Sequence, residues 1–347
     1  MRLSMTLVLS TALVFMSTLH SFAQTVPATS VHLGEPYHQA QFPALLNSGV
    51  SRWENGYLIA FIFNGTGVVT PSKAAVEVYG KGGEFVRQAF VWFDDAKLVT
   101  VSAATMSRSG KLFVSGATVS QQGAIASFIA EIGADDHIAR LIRTNPFSPR
   151  LVCSMEDGTI WSYGFERDDH SNAAPSAPRL RHFSFEKGEL QALLDTSTLN
   201  DDWSLDLGRY PGEVSLQCNS KSVVVYNGQT GDLIEVDAAT NKERVTRLSP
   251  LPPPPNFTIN GFVLTDSGDL FASFKDRSHS PKTPTLSGLF RLNRDGANGA
   301  AWAPIQETVG PYLHGSPIHR LMGADGDDLV YTSLKDGRMF WSKQNAQ

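Results

Sequence analysis

Short apolar runs alternate along the chain with clusters of Gly, Asp, Asn and Ser, and one arrangement returns six times. An apolar strand meets a tight turn and is followed by a second run of β-formers. It reads Trp53-Glu-Asn-Gly-Tyr-Leu-Ile-Ala-Phe61, Ser107-Arg-Ser-Gly-Lys-Leu-Phe-Val-Ser115 and Met155-Glu-Asp-Gly-Thr-Ile-Trp161. It continues as the less regular Cys218-Asn-Ser-Lys-Ser-Val-Val-Val-Tyr226, then Thr265-Asp-Ser-Gly-Asp-Leu-Phe-Ala-Ser273 and Ala324-Asp-Gly-Asp-Asp-Leu-Val-Tyr-Thr332. Asn-Gly, Asp-Gly and Ser-Gly between apolar runs signal hairpins, because Gly reaches the positive φ that tight hairpin turns require. A weaker second hairpin follows each of the first five, for example Val76 to Tyr79 turning at 80–83 into Phe85, or Leu289 to Leu292 turning at 294–296 into Ala301.

Two hairpins per unit make four antiparallel strands. The turn positions Gly56, Gly110, Gly158, Ser222, Gly268 and Gly326 lie 46 to 64 residues apart, on average 54. Four-stranded units repeated about an axis predict an all-β fold, a six-bladed β-propeller, with a pair of β-sandwiches as the plainer alternative. The sixth unit shows three strands, ending at Arg338 to Trp341, so the missing strand is expected from the N-terminal stretch around Tyr37 to Leu45. No helix-length amphipathic period interrupts the pattern.

Residues 1–23 stand outside the repeat. Arg2 is followed by an apolar stretch from Leu7 to Met16 and by small residues at Ser21 and Ala23. That is the layout of a secretory signal peptide. The apolar stretch is short against the roughly 20 residues of a membrane span. Cleavage after Ala23 would leave 24–347 as one propeller domain, exported to a periplasmic or extracellular space. The residue directly after that cut is Gln24 and not a Cys, which argues against a lipid-modified start, and no later segment is long and apolar enough to span a bilayer.

The Ser/Asp-Gly-x-Leu/Ile-aromatic hairpins, with their spacing near 54 residues, resemble those of six-bladed propellers of the NHL, lactonase-like and TolB-like type. The resemblance covers essentially the whole mature chain and concerns architecture, since the hairpin is a folding element. It implies that the first strand of each unit lines a channel. It also implies that ligands meet the face formed by the loops leading into those strands and by the loops between second and third strands. Lactonase-like members hold a divalent cation in the channel with a Glu, an Asn and an Asp, the Glu in an early Glu-Gly-Pro motif. Here the order is Gly34-Glu35-Pro36, within the expected closing strand, and Asn260-Gly261 is the one faint downstream echo.

Composition narrows the function. The net charge is -5, with 41% hydrophobic and 18% charged residues, and there is no Lys/Arg cluster. A nucleic-acid binder would need a basic stripe. No nucleophile elbow, zincin motif, phosphate-binding loop or dinucleotide fingerprint occurs. On the expected loop face, Asp195 to Glu213 carries Asp202, Trp203, Arg209 and Tyr210, residue types favoured at binding hot spots. Arg150 ends the loop from Arg143, and Arg277 lies in a locally basic loop with Lys275, His279 and Lys282. His314, His319 and Arg320 fall near the channel mouth, in a Pro/Gly loop without metal-ligand spacing. Asp168-Asp169-His170 opens a Ser/Asn/Ala/Pro stretch that reads as exposed surface.

These nine residues, Arg150, Asp202, Trp203, Arg209, Tyr210, Arg277, His314, His319 and Arg320, are the candidate ligand-binding set. No metal or cofactor is assigned, and the expected function is a monomeric platform for a protein or small-molecule partner. The alternative is a lactonase-like hydrolase or lyase with a divalent cation in the channel. Cys153 and Cys218, at nearly equivalent places in consecutive units, are either a disulfide, which export permits, or two buried thiols.

Overall fold

The structure, a computed structural model, describes residues 31–42, 45, 51–62, 67–167, 178–193, 214–228, 231–248, 257–276, 288–294, 299–307, 319–333 and 338–346. The strands are, in chain order, β1 (Val31–Gln41), β2 (Ser51–Glu54), β3 (Tyr57–Phe61), β4 (Val68–Val69), β5 (Val76–Tyr79), β6 (Phe85–Ala89), β7 (Ala96–Met106), β8 (Leu112–Ser120) and β9 (Ile125–Ile132). Next come β10 (Ile138–Arg143), β11 (Phe147–Ser154), β12 (Ile160–Glu166), β13 (Leu180–Ser184), β14 (Gly188–Leu193), β15 (Val214–Cys218), β16 (Ser222–Asn227), β17 (Asp232–Asp237) and β18 (Glu243–Arg247). The last are β19 (Phe257–Leu264), β20 (Leu270–Asp276), β21 (Gly288–Asn293), β22 (Ala301–Pro304), β23 (Gln306–Glu307), β24 (His319–Asp325), β25 (Asp328–Ser333) and β26 (Arg338–Ala346).

They form six antiparallel blades. Four are the simple meanders β2-β3-β5-β6, β11-β12-β13-β14, β15-β16-β17-β18 and β19-β20-β21-β22. The second blade, β7-β8-β9-β10, takes β4 as a short addition beside β7. In the sixth, β24-β25-β26 is completed by β1 from the other end of the chain, with β23 added parallel to β1. Closure therefore joins Val31 to Ala346 at one end of the pairing and Gln41 to Arg338 at the other. Two irregularities, between Leu33 and Pro36 and between Pro36 and His38, interrupt that register. Pro cannot donate to a ladder and settles at such bulges.

Alternation along the strands decides which blades meet. Six apolar clusters lie one between each neighbouring pair of blades. Phe113 and Ile129 of the second blade pack on Phe147 and Val152 of the third, for example, and Trp161 and Leu180 of the third on Val223 and Ile234 of the fourth. Each fully buried Val, Leu, Ile or Phe contributes about 1.5–3 kcal/mol by leaving water. The closing seam is aromatic: Trp53 meets Trp341 edge to face at 5.0 Å, and Lys81 pairs with Asp325 at 2.6 Å.

First strands of neighbouring blades touch near the axis, β7 with β11, β11 with β15, β15 with β19, β19 with β24 and β24 with β2. Two glycines that follow bulges, Gly261 in β19 and Gly323 in β24, sit at such contacts. A Cβ on Gly261 would collide with the Leu321 carbonyl, and one on Gly323 with the Trp53 carbonyl. Cys153 of β11 and Cys218 of β15 are joined by a disulfide, with Cα atoms 5.8 Å apart.

Candidate functional site: the axial channel

Each first strand runs from the face where the blades are joined toward the face of its own hairpin turn. Most of the first, loop-bearing face lies outside the described residues. Asp202, Trp203, Arg209, Tyr210, Arg277 and His314 lie outside the described residues, as do Asp168, Asp169 and His170. Three of the nine candidates fall on described backbone, and all three are in strands. His319 opens β24. Arg150 lies within β11, which begins at Phe147, four residues earlier than a loop ending at Arg150 would allow. Its guanidinium sits 5.1 Å from the centre of the Phe165 ring, and Arg167 approaches the same ring at 5.3 Å. Arg320 is the second residue of β24, and its Nη2 donates to the Ser51 carbonyl of the first blade at 3.0 Å. Burial draws the Arg320 guanidinium below its ordinary pKa.

Arg52, one residue beyond Ser51, reaches further. Its Nη2 donates to the Ala104 carbonyl of β7 at 2.5 Å and to the Val152 carbonyl of β11 at 3.0 Å. A side chain from the first blade thus touches the third, which requires it to reach past β7 along the inner edge of the ring. Below it, Glu54 accepts an ion pair from Arg52 at 2.8 Å, a hydrogen bond from Thr105 Oγ1 at 2.8 Å and one from the Met106 amide at 3.2 Å. Thr105 Oγ1 in turn accepts the Ser154 amide at 3.0 Å. Burial pushes the Glu54 carboxyl up, against the opposing pull of Arg52, Thr105 and the Met106 amide.

Toward the turn face from Arg52 a cavity of about 330 Å³ opens, lined by Glu54, Asn55, Arg108, Gln217, Cys218, Asp266 and Asp325 among others. Arg108, on the turn of the second blade, pairs with Asp266 on the turn of the fifth and lies 3.3 Å from Glu156 on the turn of the third. The cavity is therefore at the opposite end of β24 from His319 and Arg320, which open that strand.

Arg52, Glu54 and Arg108 were not among the residues singled out from the sequence. The available signal was the pair of charges flanking Trp53 in a first strand, which alternation directs away from the Trp53 face. No counterpart of the lactonase-like Glu is formed by Glu35: it is exposed on β1, in the outer part of the sixth blade. The described channel residues do not fit a divalent cation. Glu54, Asp266 and Asp325 are each paired with a cation, Arg52, Arg108 and Lys81, and among the described residues no three potential ligands gather.

No sequence-family profile matches the chain, and no curated protein matches it. Solved structures do. A candidate exported protein from Bacteroides fragilis is similar with a TM-score of 0.50 and 11% identity, over 93% of this chain and 97% of that one. The periplasmic gluconolactonase of Pseudomonas aeruginosa aligns with a TM-score of 0.42 and 12% identity, over 84% and 82% of the two chains. A luciferin-regenerating enzyme aligns with a TM-score of 0.47 and 12% identity, over 89% and 95%. At such identities the likeness is one of fold, and the chain is a six-bladed β-propeller.

Proposed function

We propose that the chain is exported and acts as a platform that binds a ligand or protein partner on the loop face of its propeller. The observation that supports this reading is the charge of the channel. Where a lactonase-like enzyme needs carboxylates and an Asn around a cation, the described first strands offer Arg52 and Arg320, with Glu54 already paired. Export is supported by the signal-peptide layout of residues 1–23 and by the Cys153–Cys218 bond, which suits an oxidising compartment.

Replacing Trp203 and Arg320 together should abolish affinity for a partner recovered by affinity capture. Unchanged affinity would overturn the loop face as the site. Fractionation of the native host should find a chain beginning at Gln24 outside the cytosol; an intact Met1 start in the cytosol would overturn export. Elemental analysis separates the hydrolase reading. One tightly held divalent cation per chain, with a melt lowered by chelator, would favour the enzyme over the platform.

A further inference from the structure

We propose that Arg320 and Ser51, where the first strands β24 and β2 meet, form an anion-binding site for a small ligand bearing a carboxylate or phosphate group. This rests on the platform reading and names the chemistry that its face takes.

Arg320 spends one donor, Nη2, on the Ser51 carbonyl, and no described carboxylate pairs with it. Its planar fork keeps further N–H groups, the geometry that grips carboxylates and phosphates through two parallel bonds. Ser51 is 3% exposed, and its own hydroxyl has no hydrogen-bond partner among the described residues. A buried hydroxyl left unmade costs free energy that a ligand oxygen would recover.

The charge beneath has the same sign. Arg52 lies one residue nearer the turn face, and its Nε is also buried without a partner. Its counter-charge, Glu54, lies further down, beside the turn-face cavity. Among the described residues, Arg320 and Arg52 are therefore followed by a carboxylate only on the side toward the turn face. Burial already disfavours the charged form of Arg320, and a bound anion supplies the compensation that the described residues do not. A cation at this level would be repelled, and a neutral ligand would leave the charge uncompensated.

The test is calorimetric titration of the purified mature chain with inorganic phosphate and, separately, with malonate, against sodium chloride at matched ionic strength. One anion should bind per chain, and the two arms tell phosphate from carboxylate recognition. Arg320→Met should weaken binding tenfold or more, and Ser51→Ala by a few fold. Failure of both anions to bind above the chloride reference, or unchanged affinity in a folded Arg320→Met, overturns the site. If Arg320→Met does not fold, melting decides. A rise in phosphate or malonate over chloride that Ser51→Ala reduces supports the site, and equal melts overturn it. The two readings fail separately: partner binding lost on Trp203→Ala with no anion bound removes only the anion site. Anion binding with no partner that responds to loop replacements removes only the partner reading.

Discussion

Arg108 and Asp266 stand on the hairpin turns of opposite blades, the second and the fifth, and their ion pair bridges the turn-face mouth of the channel. Its central position suggests a keystone, but its exposure says otherwise. The two side chains keep 46% and 43% of their surface open to solvent, and Glu156 beside them 53%. Exposed ion pairs contribute about 0–1 kcal/mol and are screened by salt. Arg108→Ala is therefore expected to lower stability by less than about 1 kcal/mol in low salt and by less still at high salt, as read by urea unfolding. A loss of several kcal/mol would show that the bridge holds the ring.

The disulfide should matter more. Cys153 and Cys218 join the first strands of the third and fourth blades across 65 residues of sequence. In the chain-entropy account a loop of that length gives about 4 kcal/mol by restricting the unfolded chain. Cys153→Ala with Cys218→Ala should lower urea-unfolding stability by an amount of that order. A reductant should lower the melt of the native chain and leave the double variant unmoved.

His182 provides a pH dependence of defined sign. Its ring stacks on Trp161 at 4.4 Å, and burial holds its pKa below the ordinary histidine value, with Asp157 opposing more weakly. As pH falls below about 6.5 the unfolded chain takes up the proton first, so folding stability declines until the lower folded value is passed. His182→Phe keeps a ring on Trp161 and removes this loss. The stability difference between variant and native chain should therefore shift toward the variant on going from pH 7.5 to pH 5, whereas a constant difference would count against the assigned shift.

Two glycines should differ sharply on replacement by Ala. At Gly323 the new methyl would strike the Trp53 carbonyl, and backbone on both sides would have to move. Overpacking of that kind costs about 1–3 kcal/mol, and this site belongs at the upper end. Gly123 has nothing within reach of a Cβ but a φ of 88°, so Gly123→Ala should cost only the left-handed strain, about 1–2 kcal/mol. Denaturant midpoints of the two variants make the comparison directly.

Turn chemistry made the blades readable. Gly110 and Gly158, for instance, sit at φ of 80° and 81° where the first hairpins need them. The irregular fourth copy has its own reason. There Asn219 Oδ1 accepts the Lys221 and Ser222 amides, both at 2.9 Å, so a side chain closes the turn that Gly closes elsewhere. The closing strand was expected at Tyr37 to Leu45 and is found at Val31–Gln41, because the bulges about Pro36 break the alternation that would have marked its start. The channel residues were less visible. Arg52 and Glu54 owe their roles to β7 and β11, strands about 50 and 100 residues away in sequence, and no local pattern announces a side chain that reaches past a neighbouring strand.

The pairing of β1 with β26 also imposes an order of assembly. β1 cannot find its partner until residues 338–346, about 300 positions further along the chain, have appeared. Until then the ring stays unclasped, and translation past Arg338 times the step that shuts it. A chain stalled or truncated before Arg338 would present its aromatic seam, Trp53 included, without the partner that covers it.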